Sequence, residues 1–126
     1  MSKDSLKQAY ATLESISELL DNLHNAKTND EREYVIDRIN EHPLEVSVRW
    51  GWVHPGENTD VKPEEFLILI CTGGPAVRIT GTLDEYAQPD KVYLEHQDWY
   101  EPWTQVDLTD EQRNILLRYA SFFYYG

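Results

Sequence analysis

The sequence has a single cysteine, Cys71, and a single methionine among 126 residues. A lone thiol cannot close an internal disulfide. Four scattered histidines, His24, His42, His54 and His96, lack the close spacing of a metal site, so neither a metal nor a cofactor is expected. Basic residues are also scarce, 11 against 23 acidic ones, for a formal net charge of -12. That balance opposes direct contact with a phosphate backbone and favours a basic protein, or a nucleic-acid-binding complex, as partner. No run approaches the ~20 apolar residues needed to span a bilayer, so no membrane contact is expected. The opening Met1-Ser2-Lys3-Asp4 turns polar and helical where a secretion signal would be apolar, which leads to the expectation of a cytoplasmic protein. Nucleophile motifs are missing: no serine sits in a Gly-x-Ser-x-Gly elbow. Thr72-Gly73-Gly74-Pro75 lacks the lysine and the following helix of a phosphate-binding loop and reads as a tight reversal.

Apolar material is plentiful, with 40% hydrophobic and 12% aromatic residues, enough to offset chain entropy, and the length fits one domain over residues 1–126. Over residues 5–26, Leu6, Ala9, Tyr10, Leu13, Ile16, Leu20 and Leu23 recur three or four apart, which predicts an amphipathic helix, with Ser5 and Gln8 as its capping box. Thr28 and Glu31 predict the start of a second helix, which Pro43 ends. The period then changes to two. Leu44, Val46, Val48, Trp50 and Trp52 predict a half-buried strand whose indoles face the core, with both indoles exposed beside the following loop as a partner site the alternative. His54 to Glu64 reads as a long loop, and Phe66 to Cys71 as a strand covered on both faces, with Cys71 buried and inert.

Val77 to Leu83 and Val92 to Gln97 alternate about an Asp84–Asp90 turn, Trp99 to Val106 reads as irregular or a short edge strand, and Thr109 with Gln112 caps a last helix. The predicted architecture is α+β, ordered ααββββα. A four-stranded antiparallel meander, with a fifth strand as an option, carries two N-terminal helices and one C-terminal helix.

Charge is concentrated late in the chain. Residues 84–111 hold nine carboxylates against Lys91 alone, so nine minus one leaves -8, and the same stretch carries Tyr86, Tyr93, Trp99, Tyr100 and Trp103. Such a mixture offers charge complementarity and flat anchors to a basic surface, as against a solvated acidic face with aromatics packed beneath it. The expected contact residues are Asp84, Glu85, Asp90, Glu95, Asp98, Glu101 and Trp103. A sharper form of the same reading has the carboxylates imitate DNA phosphates, whose ~3.4 Å step is close to the ~3.3 Å rise of a strand. Hydrolysis by Glu95, Asp98 and Glu101 is a third reading. Alternation separates Glu95 from Asp98, however, and pairing of Glu95 with Arg78 on the neighbouring strand is the simpler use of that charge, so no enzyme is expected. His96, on the face of Val92 and Leu94, reads as a hydrogen-bonded core histidine.

The tract Cys71-Thr72-Gly73-Gly74-Pro75-Ala76-Val77-Arg78-Ile79, then Leu83-Asp84-Glu85-Tyr86, Gln97-Asp98-Trp99 and Pro102-Trp103-Thr104, with the ending Tyr119 to Gly126, resembles small acidic proteins of bacteriophages and prophages. That group has no established catalytic residues, so the resemblance brings no site. It implies a small phage protein acting on host machinery in the host cytoplasm, the class to which anti-CRISPR and antirestriction inhibitors belong. The alternative it leaves open is a phage accessory or assembly protein that forms a homodimer through its aromatic C-terminal helix over 109–125.

Overall fold

A computed structural model describes residues 3–52, 55–56 and 62–126. Three helices, α1 (Lys3–Asn25), α2 (Asn29–Glu41) and α3 (Asp110–Ala120), accompany five strands, β1 (Glu45–Trp50), β2 (Pro63–Cys71), β3 (Ala76–Leu83), β4 (Pro89–Gln97) and β5 (Thr104–Gln105). The strands pair in sequence order as one antiparallel meander, β1-β2-β3-β4-β5. The α+β architecture expected from the sequence is therefore the observed one, with the optional fifth strand present as two residues at the edge.

Helices cover one face of this sheet. Ile79 and Leu94 lie side by side in the register with Ile68, and all three are fully buried. α1 packs on β3 and β4, α3 packs on β4, and α2 rests on α1. Gly81 is opposite both Phe66 and Val92 on the covered face, and a Cβ there would strike the Lys91 carbonyl oxygen and the Phe66 ring. The opposite face is open, which corrects the expectation of a strand covered on both sides: Leu67 and Leu69 of β2 are half-buried while Phe66 and Ile68 are buried. Cys71 is likewise half-buried, with its Sγ donating to the Pro75 carbonyl at 3.8 Å, and burial pushes the thiol pKa up.

β1 departs furthest from expectation. Its alternation is real, since Val46 and Val48 share the face of Ile68 and Phe66, but β1 packs chiefly on β2 and the helical layer stops short of it. Leu44 (63%), Trp50 (47%) and Trp52 (105%) are consequently exposed, where the sequence placed the indoles in the core. The expected long loop falls largely on residues outside the described ones, and β2 begins within it, at Pro63.

Helix ends follow the capping rules with one exception. Thr28 accepts from the Glu31 amide at 3.1 Å, and Thr109 and Gln112 form the complete reciprocal box. Ser5 does not cap Gln8. α1 starts at Lys3, and the Ser5 amide is satisfied by Asp98 Oδ1 at 3.2 Å, a residue 93 positions away. The last helix also ends earlier than 125, at Ala120. Tyr125 folds back so that its hydroxyl donates to the Ala120 carbonyl at 2.6 Å and its ring meets Phe66 at 5.2 Å. The aromatic C-terminal segment therefore contributes to this chain's own core.

Candidate functional site

The seven acidic and aromatic residues singled out above fall into three groups along β4, whose nine residues span roughly 26 Å. Asp84, Glu85 and Asp90 lie at the β3–β4 turn. Asp84 is a turn-former, its Oδ1 accepting from the Tyr86 amide at 2.8 Å and the Gln88 amide at 3.0 Å, while Asp90 accepts from the Thr82 hydroxyl and Glu85 is exposed. Ala87 in this turn takes a left-handed φ of 59°.

Glu95 and Trp103 form the second group, on the open face at mid-sheet. Arg78 and Glu95 are register partners on β3 and β4, and Arg78 Nε donates to Glu95 Oε1 at 2.7 Å, the cross-strand pair expected from the sequence. Trp103 lies flat against that guanidinium, 3.9 Å from ring centroid to Cζ. The Glu95 side chain is only 13% exposed, so its charge is spent on Arg78. β4 carries no other carboxylate than Asp90 and Glu95, five residues apart and each engaged, which is not a row of free charges at phosphate spacing.

Asp98 and Glu101 form the third group, at the far end of β4. Ser5, fully buried, sits between His96 and Asp98: its hydroxyl donates to Asp98 Oδ2 at 2.8 Å, which leaves Oγ to accept from His96 Nδ1 at 2.8 Å. His96 makes the hydrogen bond expected from the sequence, but it is half-buried, lining a groove, and not in the core. The three residue types are those of a hydrolase triad, yet the order of contact is histidine–serine–aspartate. A nucleophilic serine needs the histidine in the middle and an accessible oxygen, and this one has neither. The cluster works instead as a latch that fastens the first turn of α1 to the end of β4.

Beyond the latch the chain makes a braced turn. The Glu101 amide donates to the Asp98 carbonyl at 3.2 Å, the Gln97 side-chain amide donates to the Glu101 carbonyl at 2.8 Å, and Tyr100 is held at a φ of 63°. A tyrosine in the left-handed region costs on the order of 1 kcal/mol and persists because its surroundings over-determine it. The turn displays Trp99 (64% exposed), Tyr100 (100%) and the Glu101 carboxylate to solvent.

Between this turn and α1 lies a groove of about 530 Å³. Asp98, Glu101 and Asp107 line it, Tyr10 forms the α1 wall with half its surface exposed, and neither lysine nor arginine is among the lining residues. Two of these, Tyr10 and Asp107, lay outside the residues expected from the sequence, as did Trp99 and Tyr100 as contact residues. The helical spacing puts Tyr10 in the apolar stripe of α1, and its exposure follows from the gap left beside it by the 101–107 segment. No group of three or more His, Cys, Asp or Glu among the described residues is arranged to hold a metal ion, and no helix among them is long and apolar enough to cross a membrane.

No protein-family model, curated protein or solved structure matches the chain.

Proposed function

We propose that this chain is a non-enzymatic, phage-borne inhibitor that docks on a basic protein of a host nucleic-acid-processing defence complex, of the anti-CRISPR or antirestriction type. The observation that carries the docking part is the groove at the far end of β4, where three carboxylates flank exposed Tyr10 with neither lysine nor arginine among the described lining residues, and where Trp99 and Tyr100 are displayed on the adjoining turn. Carboxylates steer and orient a cationic segment, and exposed rings on a braced backbone supply contact area with little entropy left to lose. The commitment of Glu95 to Arg78 and of Asp98 to Ser5 supports binding over hydrolysis, since neither carboxylate is left to act as acid or base. The tract resemblance to phage proteins supports the host target and a place in the host cytoplasm.

The proposed contact set shares only Glu101 with the seven residues expected from the sequence. Glu101, Asp107, Tyr10, Trp99 and Tyr100 are the contact residues, while Asp98 holds the site in place. The test is plaque formation by a sensitive phage on hosts with and without a defence system, the chain being supplied from a plasmid. Wild type should raise plating on the defended host alone, and Glu101→Lys combined with Asp107→Lys, both exposed and therefore compatible with folding, should abolish that gain. A double variant that protects fully overturns the groove; a wild type that protects against no defence system overturns the inhibitor reading.

A further inference from the structure

The sheet ends differently on its two sides. β5 is a two-residue edge that follows Pro102, whereas β1 is a six-residue edge without proline or lysine, and among the described residues nothing pairs with its outer side. Its covered-face side chains run past the helical layer, leaving Leu44, Val48 and Trp50 exposed. A long edge with an apolar face is a pairing surface unless something occupies it.

The strand itself indicates the occupant. Antiparallel pairing of β1 with a second β1 about a twofold axis must be centred on a residue if side chains of both copies are to share faces. Centring on Ser47 sets Glu45 opposite Arg49 of the second copy, and Arg49 opposite its Glu45. On the other face it sets Val46 opposite Val48 and Leu44 opposite Trp50. Centring on Val46 or Val48 instead sets Glu45 opposite Ser47 or Gly51 and forfeits both charge pairs. The Arg49 side chain is 75% exposed and uses one donor on Glu65 at 2.5 Å, so further donors remain for a carboxylate across the axis. In a chain of net charge -12, residues 44–52 carry one Glu and one Arg, so this is a segment where two copies meet without net repulsion.

We infer that β1 is a homodimer interface, a second copy of this chain adding its own β1 in antiparallel register about Ser47 to make a continuous ten-stranded sheet. This surface is separate from the acidic groove, and it places self-association on the β1 edge and not on the aromatic C-terminal segment, which packs on the neighbouring strand β2 through Tyr125 and Phe66.

Sedimentation equilibrium of the full chain over micromolar concentrations, with disulfide trapping in a Cys71→Ser background, tests both the state and the register. Wild type should dimerise. Ser47→Cys should cross-link to itself on mild oxidation, whereas Glu45→Cys and Arg49→Cys should cross-link only when mixed. Glu45→Arg sets arginine against arginine and should weaken the dimer by about tenfold or more; mixing that variant with Arg49→Glu should restore dimers, because both cross-axis pairs become complementary. Glu45 is exposed, so its variant keeps the fold, and circular dichroism checks this for Arg49→Glu. A monomer throughout the range overturns the inference. So does a dimer in which Ser47→Cys fails to cross-link, the result expected if the chain associates through its C-terminal segment or if β1 receives a strand from another protein.

Discussion

Replacing Ser5 by alanine deletes one oxygen, and the structure fixes what that removes. The hydroxyl gives Asp98 a charge-assisted hydrogen bond at 2.8 Å and gives His96 an acceptor at 2.8 Å. A hydrogen bond to a charged group contributes about 1.5–3 kcal/mol, and a sequestered donor left without a partner costs about 1 kcal/mol or more. Because Asp98 and His96 are each partly exposed, water recovers some of this, so the loss should be about 2–4 kcal/mol. With an unfolding entropy of roughly 2.1 cal/mol/K per residue, 3 kcal/mol corresponds to a fall in melting temperature of about 11 °C for a chain of this length. Urea melts followed by tryptophan fluorescence and by circular dichroism give the value. A double-mutant cycle with Asp98→Ala should show a coupling of about 1–2 kcal/mol, since the Ser5 amide still reaches Asp98 Oδ1 in the single variant. A loss below about 0.5 kcal/mol, or strict additivity with Asp98→Ala, would refute the latch.

Two further predictions concern packing and pH. Gly81→Ala should cost about 3 kcal/mol or more, because the new methyl meets the Lys91 carbonyl and the Phe66 ring from two neighbouring strands at once; a near-neutral urea midpoint would mean that the sheet can open there. His42, at the C-terminus of α2, lies 2.8 Å by Nδ1 from the Tyr119 hydroxyl, and burial lowers its pKa below 6.5. The unfolded chain therefore binds a proton that the folded chain resists, so stability should fall as pH drops below about 6.5 and level off once pH passes the lowered folded value. Urea midpoints at about pH 7 and about pH 5 should converge in His42→Gln relative to wild type, and an unchanged difference would exclude His42 as the source.

Local signals carried most of the fold. Threonine caps, period-two runs and the Gly-Gly-Pro reversal located the elements to within a few residues, because each depends on contacts close in sequence. What they could not supply is the extent of the helical layer. The pattern of β1 is correct for a strand with one apolar face, but whether that face is covered depends on how far α1 and α3 reach across the sheet, which no run of six residues encodes. Ser5 shows the same limit from the other side. Its position just ahead of an apolar stripe reads as a cap, and the carboxylate that satisfies it arrives from a residue 93 positions later.

The acidic segment shows why net charge misleads at the level of a site. Of its nine carboxylates, Asp84, Asp90, Glu95, Asp98 and Asp110 hold a turn, a threonine, an arginine, the α1 latch and Arg113, respectively. Glu95 and Asp98 are partly buried with their lone pairs directed inward, so reversing either would damage the fold before it tested a partner, whereas the exposed Asp90 and Asp110 merely have a neighbour of their own. Glu85, Glu101, Asp107 and Glu111 accept no side-chain hydrogen bond among the described residues, and of these Glu101 and Asp107 stand on one groove beside exposed rings. A segment of -8 thus reduces to two charges placed to meet a cationic segment. That number is better suited to fixing the orientation of a partner than to holding it by attraction alone, which is why Trp99 and Tyr100 carry the contact area in the binding proposed here.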